Sequence, residues 1–481
     1  MKSQEVVLLP HLNKRVVKDI TGFKLCSYLV ALEGWRRGLT LIWYNDETSK
    51  CKLDRLNSST HGKFYSLSDG NKTHYFFRSR GDKVTNKAVR ICQDKEETKS
   101  YLEKSNVPIP LGKVLEEDND IINYANEINY PVIIKPLKGS MGKGVYTNIN
   151  SEQELKGILK ELRSKFSYKE YLVEKHYPGE EYRIYVVGNQ VIGATNRKPA
   201  NIIGDGKHTV EKLIDLKNEE RKKNPYLSPK PIKADYEITF MLERVGYDLN
   251  SVPEKGEHVI LREKSNLSSG GDPVEATDKL STSVRQIAVD ALKALPSIPH
   301  GGVDIIVDPS DQSKGVVLEI NATAEIGFHP FPLTGESKDV PAAIIDYYFP
   351  ETKGKYRSPF YFDYLSLLEP LKSWAVEELK VVKTPKKDIY ARKYIVTGQL
   401  NKVGYMTYIR RQALRRNLYG YAKKITKNEV EIYLISESQK SIEDFKEFVQ
   451  KGSRKSIVKN IEDKEVVFSG KPTKTGFRII S

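Results

Sequence analysis

The sequence predicts a mixed α/β protein of several domains, turning to α+β at its C-terminal end. Three observations carry this. Several β-rich apolar runs end in chemically distinctive residues: one in Lys135 before a glycine-rich loop, others in carboxylates. Residues 389–481 read as strand, helix, strand, strand, helix, strand, the order of a ferredoxin-like sandwich. Finally, residues 1–370 hold 53 basic and 51 acidic side chains, so the last 111 residues carry +13 of the net +15. Such asymmetry marks a separate unit. The expected division is 1–90 (N-terminal α/β domain), 91–351 (central domain), 352–388 (linker) and 389–481.

The central region carries the chemistry. In "GGVDIIVDPSDQSKGVVLEINATAE", Asp304 lies on one strand while Glu319 and Asn321 lie on the next. Alternate residues of a strand share a face, so Glu319 and Asn321 reach one point together. Hard oxygen donors at neighbouring strand ends suit Mg²⁺, which takes a few carboxylates and fills its octahedron with water and phosphate. Solvated turn residues would look the same in isolation. Upstream, "YPVIIKPLKGSMGKGV" is an apolar strand ending in Lys135, followed by Gly139, Gly142 and Gly144 and a return at Val145. Glycines let backbone N–H groups approach phosphate oxygens, and the lysine adds a fixed charge. The spacing fits neither a Walker loop nor a dinucleotide fingerprint. Next, "YLVEKHYPGEEYRIYVV" reaches Glu174 and Lys175, turns at Pro178-Gly179 and resumes with Glu181 and Arg183.

Lysine, glycine loop, acidic hinge, acidic strand and metal-type strand pair, in this order, resemble the ATP-grasp ligases. Lys95, ahead of a short helix in "QDKEETKSYLEKSNVPIP", resembles the first phosphate lysine of that superfamily. "RKPANIIGDGKHTVEKLIDLKN", "ILREKSNLSSGGDPVEATD" and "VLEINATAEIGFHPFPLTGESKDVPAAIIDYYFPE" are similar to the ATP-grasp part of cyanophycin synthetase and of the fused glutathione-synthesising enzyme, over about residues 90–351. The resemblance implies a two-lobed ATP-grasp fold preceded by an N-terminal substrate domain. It also implies roles. Lys95 and Lys135 would contact the phosphates of ATP. The loop of Gly139, Ser140, Met141, Gly142, Gly144 and Val145 would close over them. Glu174 and Lys175 would form the adenine hinge, and Glu181 would hold the ribose. Asp304, Glu319 and Asn321 would bind Mg²⁺, with Mn²⁺ as an alternative, and Arg262 and Asn266 would stand near the transferred phosphate.

The chemistry so implied is amide formation between a carboxylate and an amine through an acyl phosphate, on an amino acid, peptide or peptide-like substrate. Phosphoryl transfer of this kind rests on positioning and charge neutralisation, so no nucleophilic triad is required. One departure concerns the substrate. The resembling families carry a proline soon after the metal strand, where this chain reads Asn321-Ala322-Thr323-Ala324-Glu325. His329 matches a family histidine, with a structural role equally open.

The remaining features bound the setting. Cys26, Cys51 and Cys92 have no paired spacing, and no segment is long and apolar enough for a membrane span, so a cytoplasmic protein without a membrane partner is expected. An oligomer is left open. Over 389–481 the chain resembles acylphosphatase, through "GQLNKVGYMTYIRRQA", "LYGYAKK" and "GFRII". That family's phosphate-binding arginine and water-positioning asparagine correspond to Met406 and Lys424. Methionine offers no charge to phosphate and lysine cannot orient a water as an amide does, so a non-catalytic unit is expected. A docking module for a polyanionic partner and a stabilising appendage remain equal readings of its basic surface. Two other functions stay open: an acyl-phosphate hydrolase, and a non-catalytic ATP-grasp assembly protein.

Overall fold

The computed structural model describes residues 6–137, 144–385 and 388–480. Its centre is a pair of antiparallel sheets that face each other across a cleft. In the first, the strands run in the order Gly112–Leu115, Tyr171–Lys175, Val132–Pro136, Tyr146–Ile149. Val132 and Ile134 point into a core formed with Leu155, Leu159 and Leu162 of the helix Glu152–Lys165. By alternation, Ile133 and Lys135 face the cleft. The strands Val132–Pro136 and Tyr146–Ile149 pair as the expected hairpin, with Ile134 opposite Tyr146. Gly139, Ser140, Met141 and Gly142 lie outside the described residues; Gly144 and Val145 lie within them.

The second sheet has the order Asp272–Glu275, Gln190–Lys198, Glu180–Val187, His300–Val307, Gly315–Asn321. The helix Thr282–Ala294 covers one face, and the helices Asn86–Gln93 and Lys95–Lys104 join the same core through Val89, Ile91 and Leu102. Asp94 caps the second of these by accepting from the amides of Glu96 and Glu97, which fixes Lys95 as its first residue.

The N-terminal unit is built on the helix Gly22–Arg36, buried continuously from Leu25 to Arg36. Its sheet comprises Thr40–Tyr44, Phe64–Ser68, Thr73–Phe77 and Arg80–Gly81, and a fifth strand comes from far along the chain. Glu378–Lys380 pairs with Thr40–Tyr44, placing Lys380 opposite Ile42. Segment 352–388 therefore differs from the expected linker. Phe360, Phe362, Tyr364 and Leu368 belong to the same core as Leu29 and Trp35, and the Trp35 indole donates to Val382 O at 2.7 Å. The helix of this stretch runs Tyr364–Lys372 and stops where Trp374 adopts a left-handed backbone, φ 59°. Aromatic burial makes this stretch structural.

The C-terminal unit has the expected succession: Tyr390–Gln399, helix Tyr405–Arg415, Tyr419–Lys424, Glu429–Ser436, helix Gln439–Lys451, Ile457–Val466 and a last strand Phe477–Ile480. The first strand is central, between Ile457–Val466 and Glu429–Ser436, and the last runs parallel to Tyr419–Lys424. The short parallel pair Phe360–Tyr361 and Thr473–Lys474 joins this unit to the segment before it.

Candidate active site

The cleft between the two central sheets encloses about 680 Å³ and is lined from both lobes. Lys135, Val145, Glu174 and Lys175 come from the first sheet and its hairpin; Lys95, Glu181, Arg183, Arg197, Asn266, Asp304 and Glu319 come from the side of the second. Residues separated by up to 224 positions thus share one cavity.

The acidic end is organised by strand register. Asp304 sits opposite Arg183 on one neighbouring strand and opposite Glu319 on the other. A bulge follows at once, since Ile305 pairs with Val317 and leaves Leu318 extra. Such a bulge re-aims the side chains around it, and both Leu318 and Glu319 face the cleft. Arg183 grips Asp304 with two bonds, Nε to Oδ1 at 2.5 Å and Nη2 to Oδ2 at 2.6 Å, and Arg197 adds a third to Oδ2 at 2.8 Å. Burial would raise the Asp304 pKa, but the two guanidinium groups overrule it and hold the carboxyl well below its ordinary range. Glu319 is pushed the other way, raised by desolvation and then by the Asp304 charge. Its side chain opens to the solvent of the cleft although protein surrounds it on most sides.

The donor set fits a magnesium ion. Two carboxylates and one amide oxygen on adjacent strands are hard ligands that leave several positions for water and phosphate. Glu319 has no hydrogen-bond or ion-pair partner among the described residues; Asn321 follows two residues on along the same strand but is not among the residues that line the cleft. A carboxylate has about four lone-pair sites. Asp304 accepts three hydrogen bonds, which leaves it capacity for a cation.

The basic end contains a residue that sequence reasoning missed. Glu174, 2% exposed, lies between Lys135 and Lys99, the latter at 2.6 Å. Burial opposes its ionisation, but the two ammonium groups hold its pKa below the ordinary value. Lys99 stands four residues after Lys95, on the same face of one helix, and that spacing was the available signal. Lys95 is itself lowered, first by burial and then by the Lys135 charge. Glu181 pairs with Arg197 through one oxygen.

Two sequence expectations change. The Glu174 carboxylate is held by two lysines, and the Lys175 ammonium is turned to the carbonyls of Asn129 and Tyr130 at 2.9 and 3.2 Å, so neither side chain stands free as an adenine reader. Arg262 is corrected more firmly. Its guanidinium is taken by Asp235 at 2.5 Å and by Glu237, and it does not line the cleft, whereas Asn266 does. An arginine flanked by local carboxylates satisfies itself before it reaches a distant phosphate. His329 is fully buried, with its pKa lowered to about 3 by desolvation, and lies near Thr195 Oγ1 at 3.4 Å, as a neutral structural histidine would.

Comparison with known proteins is consistent with this arrangement. Residues 92–222 match the RimK-like ATP-grasp domain, and residues 392–479 match acylphosphatase. The chain carries a RimK-like ATP-grasp domain. It is 32% identical over 270 residues to cyanophycin synthetase of Crocosphaera subtropica, covering 55% of this chain and 31% of that protein. It is 30% identical over 314 residues to the glutathione biosynthesis bifunctional protein GshAB of Clostridium perfringens, covering 62% of this chain and 38% of that protein. The chain thus spans about a third of the length of these relatives. A bifunctional glutathione synthetase from Pasteurella multocida shares 26% identity and a TM-score of 0.48, over 60% of this chain and 40% of its own. The mixed α/β class with an acylphosphatase-like C-terminal unit, expected from sequence, is borne out. Among the described residues no helix is long and apolar enough to cross a membrane.

In the acylphosphatase-like unit, Met406 and Lys424 line a separate cavity of about 210 Å³. Met406 packs against that unit's core, and Lys424 Nζ donates to Asn401 Oδ1 at 3.0 Å.

Proposed function

We propose that the chain is an ATP-dependent carboxylate–amine ligase that forms an amide bond through an acyl phosphate, acting on an amino acid, peptide or peptide-like substrate. One observation carries the reading: Lys95, Lys135, Asp304 and Glu319 line a single cleft, two cations with two carboxylates of a magnesium-type donor set. The triphosphate lies between them. Lys95 and Lys135 neutralise phosphate oxygens, and Glu174 fixes the direction of the Lys135 ammonium. The side chains of Glu174 and Lys175 are engaged, and the amides of Lys175 and His176 donate to Leu111 O at 2.8 Å and Pro131 O at 3.0 Å; the backbone of Tyr177 is left to meet adenine, and the second oxygen of Glu181 is free for a ribose hydroxyl. Asp304, Glu319 and Asn321 would hold Mg²⁺, which would supply positive charge against the phosphate oxygens.

A substrate carboxylate oxygen takes the terminal phosphoryl group of ATP and ADP leaves. The amine then attacks the carbonyl carbon of the mixed anhydride, phosphate departs with the C–O bonding electrons, and the nitrogen loses its proton. These steps need alignment and charge rather than a protein nucleophile. Arg183 and Arg197 keep Asp304 ionised and oriented throughout. The C-terminal unit takes no part in this chemistry, because Met406 brings no charge to its cavity and Lys424 is engaged by Asn401.

The test is ADP release by the full chain given ATP-Mg and a panel of amino acids, dipeptides and acidic polymers. Glu319→Ala should lower the rate by roughly 10³-fold or more while unfolding stays cooperative, since the side chain faces the cleft. Unchanged ADP release in that variant would falsify the metal assignment.

A further inference from the structure

The N-terminal unit holds a group of cations that phosphoryl transfer does not use. Arg78 is 8% exposed, and its guanidinium carbon lies 3.6 Å from the centroid of the Phe23 ring. Its side chain makes no hydrogen bond or ion pair among the described residues, and Nε is buried without an acceptor. Burying an unpaired charged donor is costly, so an arginine kept in this state is one waiting for an anion. Lys24 follows Phe23 and likewise has no ion pair among the described residues. Lys63 donates to Ser58 Oγ at 2.8 Å and Ser59 O at 3.0 Å, but to no carboxylate. The Lys63 carbonyl accepts from the Arg78 amide at 2.8 Å, and the Phe23 ring against which Arg78 packs immediately precedes Lys24, so the three residues are neighbours. Asp46, which also bears on Lys63, is occupied by the hydroxyls of Thr60 at 2.6 Å and Ser59 at 2.9 Å.

The backbone adds to this field. Phe23 and Lys24 stand in the first turn of the 15-residue helix Gly22–Arg36, whose N-cap Thr21 makes no side-chain bond and whose first turn has no acid. Uncapped amides and the helix dipole favour an anion at that end. The site also adjoins the reaction centre. Ser79, next to Arg78, donates to Ala324 O at 2.8 Å, and Ala324 lies three residues past Asn321. Three residues span at most about 10 Å. Glu325 follows, close enough for its charge to act on Arg78; one oxygen is taken by Tyr226 at 2.5 Å and Lys230 at 2.9 Å.

We propose that Arg78, assisted by Lys24 and Lys63, binds the distal, unactivated carboxylate of the amino acid or peptide substrate, whose reacting end extends past Ala324 to the cleft. The inference rests on the ligase reading and adds a substrate class to it. A guanidinium lying flat on an aromatic ring presents its planar edge, which matches a carboxylate. Phosphate has the same appetite for arginine, but Glu325 repels a dianion more than a monoanion, and it attracts the ammonium of an amino acid.

Isothermal titration of the full chain distinguishes these sources. The probes are L-glutamate, L-aspartate and glycyl-L-aspartate, each against the analogues with one carboxylate converted to an amide, together with inorganic phosphate; ATP-Mg affinity is the control. At least one acid should bind roughly 10- to 100-fold tighter than its amide. Arg78→Gln should abolish that preference and Lys24→Gln, on a half-buried side chain, should weaken it, both with ATP affinity unchanged. A wild-type chain that treats every acid and amide alike, a preference that survives Arg78→Gln, or phosphate binding above all the carboxylates would each overturn the proposal. If the acid preference stands but ATP does not bind, the ligase reading fails and the carboxylate site survives.

Discussion

Two cavities in this molecule differ in how their charges are arranged. In the central cleft, charges are organised in opposition: Glu174 between Lys99 and Lys135, Asp304 between Arg183 and Arg197. In the C-terminal cavity, Met406 stands where the acylphosphatase resemblance implies a cation and Lys424 where it implies an amide. Both cavities keep their fold. Fold persistence and site persistence are therefore separable within one chain, because a core depends on apolar burial whereas a site depends on a handful of polar atoms.

If paired charges are what keeps the cleft competent, removing a silent partner should matter. Lys99→Ala leaves buried Glu174 with Lys135 alone, so the ammonium meant for phosphate is drawn onto the carboxylate. The expected result is a roughly 10-fold higher KM for ATP and a stability loss of about 1–3 kcal/mol. The pH dependence follows from the direction of the Glu174 shift. A depressed carboxyl contributes stability above its unfolded value, about 4.3, and loses it as pH falls through the folded value. Lys99→Ala should therefore flatten the acid limb of the unfolding midpoint against pH. An unchanged KM would mean that the Glu174 pairs are packing rather than preparation.

Legibility in the sequence followed the same division. Residues whose spacing obeys a local rule were readable: Glu319 and Asn321 on one strand face, Lys135 at a strand end, the βαββαβ succession. Arg183 and Arg197 as holders of Asp304 were not, because cross-strand register is a long-range property that no local pattern encodes. Arg262 failed for the converse reason: Asp235 and Glu237 lie 27 and 25 residues away, and only the fold brings them onto its guanidinium. The strand Glu378–Lys380 was hidden too, since three residues that complete a distant sheet carry almost no periodicity of their own.

The C-terminal side of the comparison is sharpened by restoring what it lacks. Met406→Arg with Lys424→Asn returns a phosphate-binding cation and an amide to the 210 Å³ cavity. Hydrolysis of a model acyl phosphate such as benzoyl phosphate should rise at least several-fold above the parent chain, with ADP release in the cleft unaltered. No gain at all would show that the cavity has lost shape as well as chemistry.

The smallest effect tests the comparison most directly. Unlike Glu174 and Asp304, Glu319 has its pKa raised, by desolvation and by Asp304 beside it. A group raised in the folded state is strained when ionised, so at neutral pH Glu319 costs the protein stability that function requires. Glu319→Gln keeps the shape and removes the charge. It should abolish ADP release and yet raise the free energy of unfolding by about 0.5 kcal/mol, a modest figure because solvent in the open cleft screens the repulsion. The effect must then vanish with pH in a specific way: as pH falls through the raised Glu319 value the native carboxyl protonates, the repulsion disappears, and the advantage of glutamine closes to nothing. Paired denaturation curves at pH 7.5 and pH 4 measure this. A glutamine variant less stable than the parent at both values would show Glu319 to be bound by partners, as Glu174 is, and the contrast between its poised charge and the satisfied charges around it would be lost.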